Sequence, residues 1–260
     1  VNALSFARLY KCTVSGFALN YVTPVGLMGG EPYRIMELTP YVGVERATSS
    51  VILYVMMHIF SHFCFWLSSV LIYVFFYPVG WGMGIVLGLT TLFCLLLATL
   101  FIKGYRNGMA VACVRLGRHI PFLKKRAVRF AELHKEKLET IDSQIALLHQ
   151  QRKSTFYSAL GLEYTARIVG CLEVWLILNV LTTDVSFVGC ILIVAFSSLL
   201  ANLLFFLPMQ LGGREGGFAL AVAGLSLSGA YGVFAALITR VREMVWIVIG
   251  LVLMKIGNRR

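Results

Sequence analysis

Charge is what this chain has least of. Of its 260 residues only 13% are Asp, Glu, Lys or Arg, against about 25% in soluble domains. Ala47 to Tyr77 contains none of the four. With 58% hydrophobic residues and a mean hydropathy of +0.81, that scarcity excludes a soluble globular fold and marks an integral membrane protein. Other absences narrow the function. No basic, apolar, small-residue signal opens the chain. No G-x-x-x-x-G-K-[ST] loop occurs, which argues against a pump burning ATP on this chain. Cys12, Cys64, Cys94, Cys113, Cys171 and Cys190 show no metal or redox spacing and read as small apolar residues, not a disulfide framework. His58 and His62 are four apart, but the central glutamate of a zinc-protease helix and a third ligand are missing. They read as polar packing groups, and neither a metal nor another cofactor is expected.

Acids are scarcer still, 12 against 23 basic residues, for a net charge of +11. Between Lys103 and Lys153 lie 12 of those basic residues and only four acids. Nucleic acid is one partner such a block suits. A cytoplasmic loop beside anionic lipid is the simpler reading, so no nucleic-acid partner is expected. Apolar positions from Val128 to Leu148 recur mostly every three to five residues, predicting an interfacial amphipathic helix over 127–151.

What the chain does have is one polar, broken stretch, N-Y-V-T-P-V-G-L-M-G-G-E-P-Y-R-I-M-E-L at Asn20–Leu38, and an echo, L-P-M-Q-L-G-G-R-E-G-G at Leu207–Gly217. In each, a proline precedes Gly-Gly and an acid, Glu31 or Glu215, with Arg34 or Arg214 close by. Such segments are costly in hydrocarbon unless buried in protein or lining a cavity, and a related pair suggests a transport site at a repeat interface.

The segments read as a re-entrant hairpin over 5–38, ended by Thr39-Pro40, then two spans over 47–102 broken at Pro78. The basic amphipathic loop covers 103–155, a span 158–181, a second hairpin 185–228 and a last span 230–256. Gly80, Gly84 and Gly88 predict a close-packing face on the second span. If 185–228 enters and returns, the terminal arginines fall on the cytoplasmic side. The hairpins then enter from opposite faces. The expectation is an all-α polytopic membrane protein built as an inverted repeat with two opposed re-entrant helical hairpins. The first unit lacks a leading span, in keeping with a chain shortened before Val1.

A helix beginning inside the membrane leaves its first amides unpaired, and glycine lets an anion approach them. Gly29, Gly30, Glu31 and Arg34 with Gly212, Gly213, Arg214 and Glu215 therefore suit a lipid phosphate, the acids serving an amine or a coupling proton. The bland alternative is that each Glu–Arg pair neutralises itself and the glycines pack helices. Glu163, Arg167, Glu173 and Arg240 are further ionisable groups within spans. Glu163 and Arg167 can pair at four-residue spacing; with Glu173 they are candidates for coupling. Arg242 and Glu243 read as snorkelling groups near a span end.

At these residues the chain resembles the lysylphosphatidylglycerol synthase transmembrane-region family, flippase-like proteins related to the N-terminal part of the multiple peptide resistance factor. N-x-x-T-P-x-G-x-x-G-G-E-P-x-R-x-x-x-L at Asn20–Leu38 looks like its first signature. P-x-x-L-G-G-R-E at Pro208–Glu215, followed by a span with Arg240, is similar to its second. The resemblance implies two further spans before the first motif. It adds Asn20 and Arg240 to the substrate-binding set. Many members carry an arginine or acid in the span after the first motif; here Met57, His58 and His62 stand instead, a departure at a position of polar coupling. Lipid aminoacylation is not carried over and no catalytic residue is expected.

The implied function is transfer of a charged phospholipid, with aminoacylated phospholipid as one cargo of that class, between leaflets of a bacterial cytoplasmic (inner) membrane, in a multi-pass protein whose partner is membrane phospholipid. The alternatives are a proton-coupled transporter of a small anion through Glu31 and Glu215, and a non-transporting partner of a separate lipid-modifying enzyme recruited by 103–155. A homo-oligomer is compatible with all three.

Overall fold

The structure is a computed structural model that describes residues 4–23, 29–107, 140, 143, 153–204, 210 and 212–257. The amphipathic helix expected over 127–151 therefore lies outside the described residues, apart from the two helical positions Thr140 and Ser143. All described regular structure is helical: α1 (Phe6–Val22), α2 (Gly30–Val42), α3 (Val44–Phe76), α4 (Trp81–Asn107), α5 (Lys153–Asn179), α6 (Phe187–Leu203), α7 (Gly213–Gly224) and α8 (Gly229–Gly257). By length and composition α3 and the Trp81–Leu100 part of α4 can each cross a membrane. Helices α5 and α8 are comparably long but carry charges within.

Two boundaries differ from the sequence reading. The helix after the first turn starts at Gly30 and runs through Thr39-Pro40 to Val42. Pro40 lies inside this helix, three residues before Gly43; lacking an N–H, it forgoes one i→i−4 hydrogen bond without ending the helix. Gly43, at φ +81°, makes the actual break. The helix after the second turn starts at Gly213, five residues before the apolar run at Phe218, because Glu215 caps it: the N–H of Gly212 donates to Glu215 Oε2 at 2.9 Å.

Helix α1 packs on α2 and α8, and α7 packs on α6 and α8. Helix α3 meets α2, α4, α5 and α6. Small residues set these crossings. A Cβ on Gly30 would run into the Gly16 carbonyl, one on Gly250 would meet Val14 O and Ala18, and one on Gly232 would strike Phe218 O. The glycines of α4 do otherwise. Gly80 and Gly88 have open space around a built Cβ, and Gly84 meets only Val79 of its own segment. Among the described residues the expected packing face thus meets no other helix. Trp81, Ile85, Leu89 and Leu92 of α4 are exposed, which suits contact with lipid.

One apolar core joins Val174 and Leu178 of α5 to Ile193, Phe218, Val222 and Ala236. A second joins Phe65 and Trp66 of α3 to Cys94, Cys171 and Ala195. Cys12, Cys94, Cys171 and Cys190 are buried and free, small packing residues in an apolar interior.

Candidate functional site

The first motif closes on itself. Asn20 Oδ1, at the end of α1, accepts the Gly30 N–H at 2.6 Å, and Asn20 Nδ2 donates to Glu31 Oε1 at 3.1 Å. Glu31 Oε1 lies 3.5 Å from Arg34 Nη1. Arg34 is 8% exposed and lies against Gly16, where a side chain would collide with its Nε. Its guanidinium covers the Tyr54 ring at 4.9 Å. The amide left open in the sequence reading is taken here by Asn20. Gly29 abuts Thr23, whose hydroxyl bonds back to Leu19 O.

In the second motif the charges cross. Glu215 does not pair with Arg214. It accepts from Arg240 Nε at 2.8 Å while holding the Gly212 amide. Arg214 pairs with Glu243 and reaches Thr239 Oγ1 at 3.3 Å. Arg242 pairs with Glu173. Glu243 is 6% exposed and buried in the bundle, not a snorkelling group at a helix end. Arg242 is tied across to α5. Each partner faces the other from a different helix, which is how charges persist in such a setting.

Helix α5 brings a third cluster. Glu163 and Arg167 share a face, yet each reaches across to α3 and not to the other. Glu163 Oε2 lies 3.0 Å from His58 Nδ1. Arg167 donates from Nε to Ser61 Oγ at 2.8 Å and from Nη2 to the His58 carbonyl at 2.9 Å. The span after the first motif therefore makes a polar contact with α5 through His58. From Tyr54 the rings of His58, His62 and Trp66 follow one another every four residues, 6.1, 5.3 and 5.3 Å apart. Trp66 Nε1 ends the ladder by donating to Ser198 Oγ of α6 at 2.9 Å.

These groups surround a cavity of about 340 Å³, within the roughly 300–1,000 Å³ of small-molecule sites. Arg167, Arg214, Arg242, Glu173, His58 and His62 line it, with Tyr21 at the end of α1. Glu31 and Arg34 do not; Arg34 lines a separate space of about 130 Å³ beside Thr13 and Tyr54. A third cavity, of about 220 Å³, is apolar and lies between α3, α4, α6 and α7, lined by Trp66, Val86, Leu199, Leu220 and Gly224. Helix α6 separates the two larger spaces, presenting Ser197, Ser198 and Asn202 to the polar one and Leu192, Phe196 and Leu199 to the other.

Glu243, Thr239 and His58 were not legible as site residues. Glu243 beside Arg242 reads in sequence as a snorkelling group near a span end, and a histidine in an apolar span gives no sign of a carboxylate 105 positions away. A family model described as "Lysylphosphatidylglycerol synthase TM region" matches residues 2–251. No curated protein and no solved structure matches the chain.

Proposed function

Because the chain belongs to the lysylphosphatidylglycerol synthase TM-region family, we propose that it carries a charged phospholipid between the leaflets of a bacterial inner membrane, as a multi-pass flippase. The observation that carries this reading is the pair of cavities flanking α6, one polar and arginine-lined, the other apolar. A phospholipid needs both, because its head group is costly in hydrocarbon and its chains are costly in water. The head group occupies the polar space beside Arg214 and Arg242, while an acyl chain lies in the apolar one.

The remaining motif residues shape that site. Gly212, Gly213, Glu215 and Arg240 fix the start of α7 and so aim Arg214. Asn20, Gly29, Gly30, Glu31 and Arg34 hold the first turn, placing Tyr21 at the cavity wall. An inverted repeat of two re-entrant hairpins fits the packing: α1 of the first hairpin lies on α8, and α6 of the second lies on α3. That exchange is what a two-fold relation between halves produces.

The test is reconstitution in liposomes with a fluorescent short-tailed phosphatidylglycerol, reading its loss from the outer leaflet to a membrane-impermeant quencher. Transfer is expected to require the protein. Arg214→Ala is expected to reduce it roughly tenfold or more, the scale of a lost charge-assisted contact, and Arg34→Ala to reduce it by loosening the first turn. Transfer unchanged in both variants, with melting behaviour intact, would count against the site.

A further inference from the structure

Four arginines of the bundle are matched one by one. Arg34, Arg214, Arg240 and Arg242 each have a carboxylate within ion-pair distance. Among the described residues Arg167 does not. Its two hydrogen bonds go to neutral acceptors, the Ser61 hydroxyl and the His58 carbonyl. The nearest carboxylate along α5, Glu163, is turned to His58. Arg167 stands at the midpoint of α5, with roughly 20 Å of helix on either side at 1.5 Å per residue, too far for the side chain to snorkel to either surface. A cation at that depth calls for an anionic partner. Arg167 lines the polar cavity, so the partner can arrive from there.

The charge of the cluster depends on one proton. An ionised carboxylate only accepts, so neutral His58 holds its hydrogen on Nδ1 and donates it to Glu163. Glu163 and Arg167 then cancel, and an incoming anion finds no net charge. A second proton on His58 Nε2 makes the cluster singly positive. The groups around His58 are Tyr54 and His62 on α3, Glu163 and Arg167 on α5, and Arg34 of α2 over the Tyr54 ring. Across the cavity lie Tyr21, the Arg242–Glu173 pair and the Arg214–Glu243 pair. Those pairs balance internally. His62 is stacked between His58 and Trp66, and its Nδ1 is buried without a partner. Of these groups, His58 is the histidine with a carboxylate partner, and histidine changes charge near neutral pH.

We infer that Arg167 with the His58–Glu163 pair forms a binding site for a phosphate-type monoanion, and that each anion binds together with one proton taken up at His58. The inference rests on the flippase reading only for the claim that the anion arrives on a lipid. By linkage the anion and the proton strengthen each other's binding by the same factor.

The 260-residue chain is placed in phosphatidylcholine nanodiscs and titrated calorimetrically with dioctanoylphosphatidylglycerol and, separately, with dimethyl phosphate. Measurements are made at about pH 5.5 and about pH 8, either side of the ordinary histidine value of about 6.5, in buffers of different ionisation enthalpy to count protons. Binding is expected to be tighter at the acidic pH, by about 5- to 150-fold, with proton uptake accompanying it. His58→Gln is expected to bind at the weak level at both pH values. Glu163→Gln is expected to bind at the alkaline pH roughly tenfold more tightly than the unaltered chain, a gain that loss of a purely structural contact does not give. Arg167→Gln is expected to lose binding, and Arg167→Lys to keep the pH dependence, which covers a glutamine variant that fails to fold.

Binding independent of pH, binding without proton uptake, weakened binding in Glu163→Gln, or no binding of either probe overturns the inference. Phosphatidylglycerol bound at least tenfold more tightly than dimethyl phosphate assigns the site to a lipid. Equal, proton-linked binding of both keeps the site and removes the flippase reading. Leaflet transfer that persists without any proton linkage does the reverse.

Discussion

Arg214 of α7 pairs with Glu243 of α8, while Glu215, its neighbour in the chain, pairs with Arg240 of the same helix. Had Arg214 and Glu215 neutralised each other, the motif would be a local turn device. Crossed over, the same four charges bind one helix to another and leave Arg214 facing the cavity.

The first prediction concerns that crossing. Glu243→Gln leaves Arg214 largely buried without its carboxylate, which is expected to cost about 3–5 kcal/mol of stability. Replacing both partners with apolar residues, as Arg214→Met with Glu243→Leu, is expected to recover most of that loss without recovering lipid transfer. Thermal melting of the purified variants alongside the liposome assay checks both halves.

The second separates glycines that look alike in sequence. Gly30→Ala pushes a methyl into the Gly16 carbonyl and is expected to destabilise by about 1–3 kcal/mol or more, since backbone cannot yield as a side chain can. Gly88→Ala meets open space and is expected to be neutral or stabilising by up to about 1 kcal/mol. Equal melting shifts for the two would contradict the packing described.

The third concerns the apolar space. Gly224 lines it, and a Cβ there meets nothing within 4 Å, so Gly224→Phe is expected to fold and to fill the cavity. Displacing two methylenes of an acyl chain at about 0.8 kcal/mol each corresponds to roughly tenfold slower lipid transfer. Binding of dimethyl phosphate in the polar cavity is expected to stay as it was. Loss of both together would show that the two spaces do not divide the work as proposed.

The helices and their hydrophobic faces were readable from the sequence because a charge-free run such as Ala47–Tyr77 has one outcome in a membrane. The two motif turns were readable as special, because Gly-Gly beside Glu and Arg is so unlike its surroundings. Their partners were not. Asn20 reaching Gly30 is local and could be guessed. Glu215 choosing Arg240 over Arg214, and Glu163 choosing His58 over Arg167, are set by which helix lies opposite, and spacing along one helix carries no record of that. The glycines show the same limit: a Cβ on Gly250 would strike α1, while one on Gly88 would meet nothing among the described residues, though both stand in apolar helices.

The charges on α8 also bear on how the protein is made. Arg240, Arg242 and Glu243 find their partners on α5 and α7, both synthesised earlier. Alone, α8 is a poor candidate for release into lipid, since each central charge costs about 2.5–3.5 kcal/mol on insertion scales. The ribosome therefore delivers a segment whose entry is underwritten by helices already waiting beside it, and a chain that loses α5 or α7 should strand α8 at the translocon.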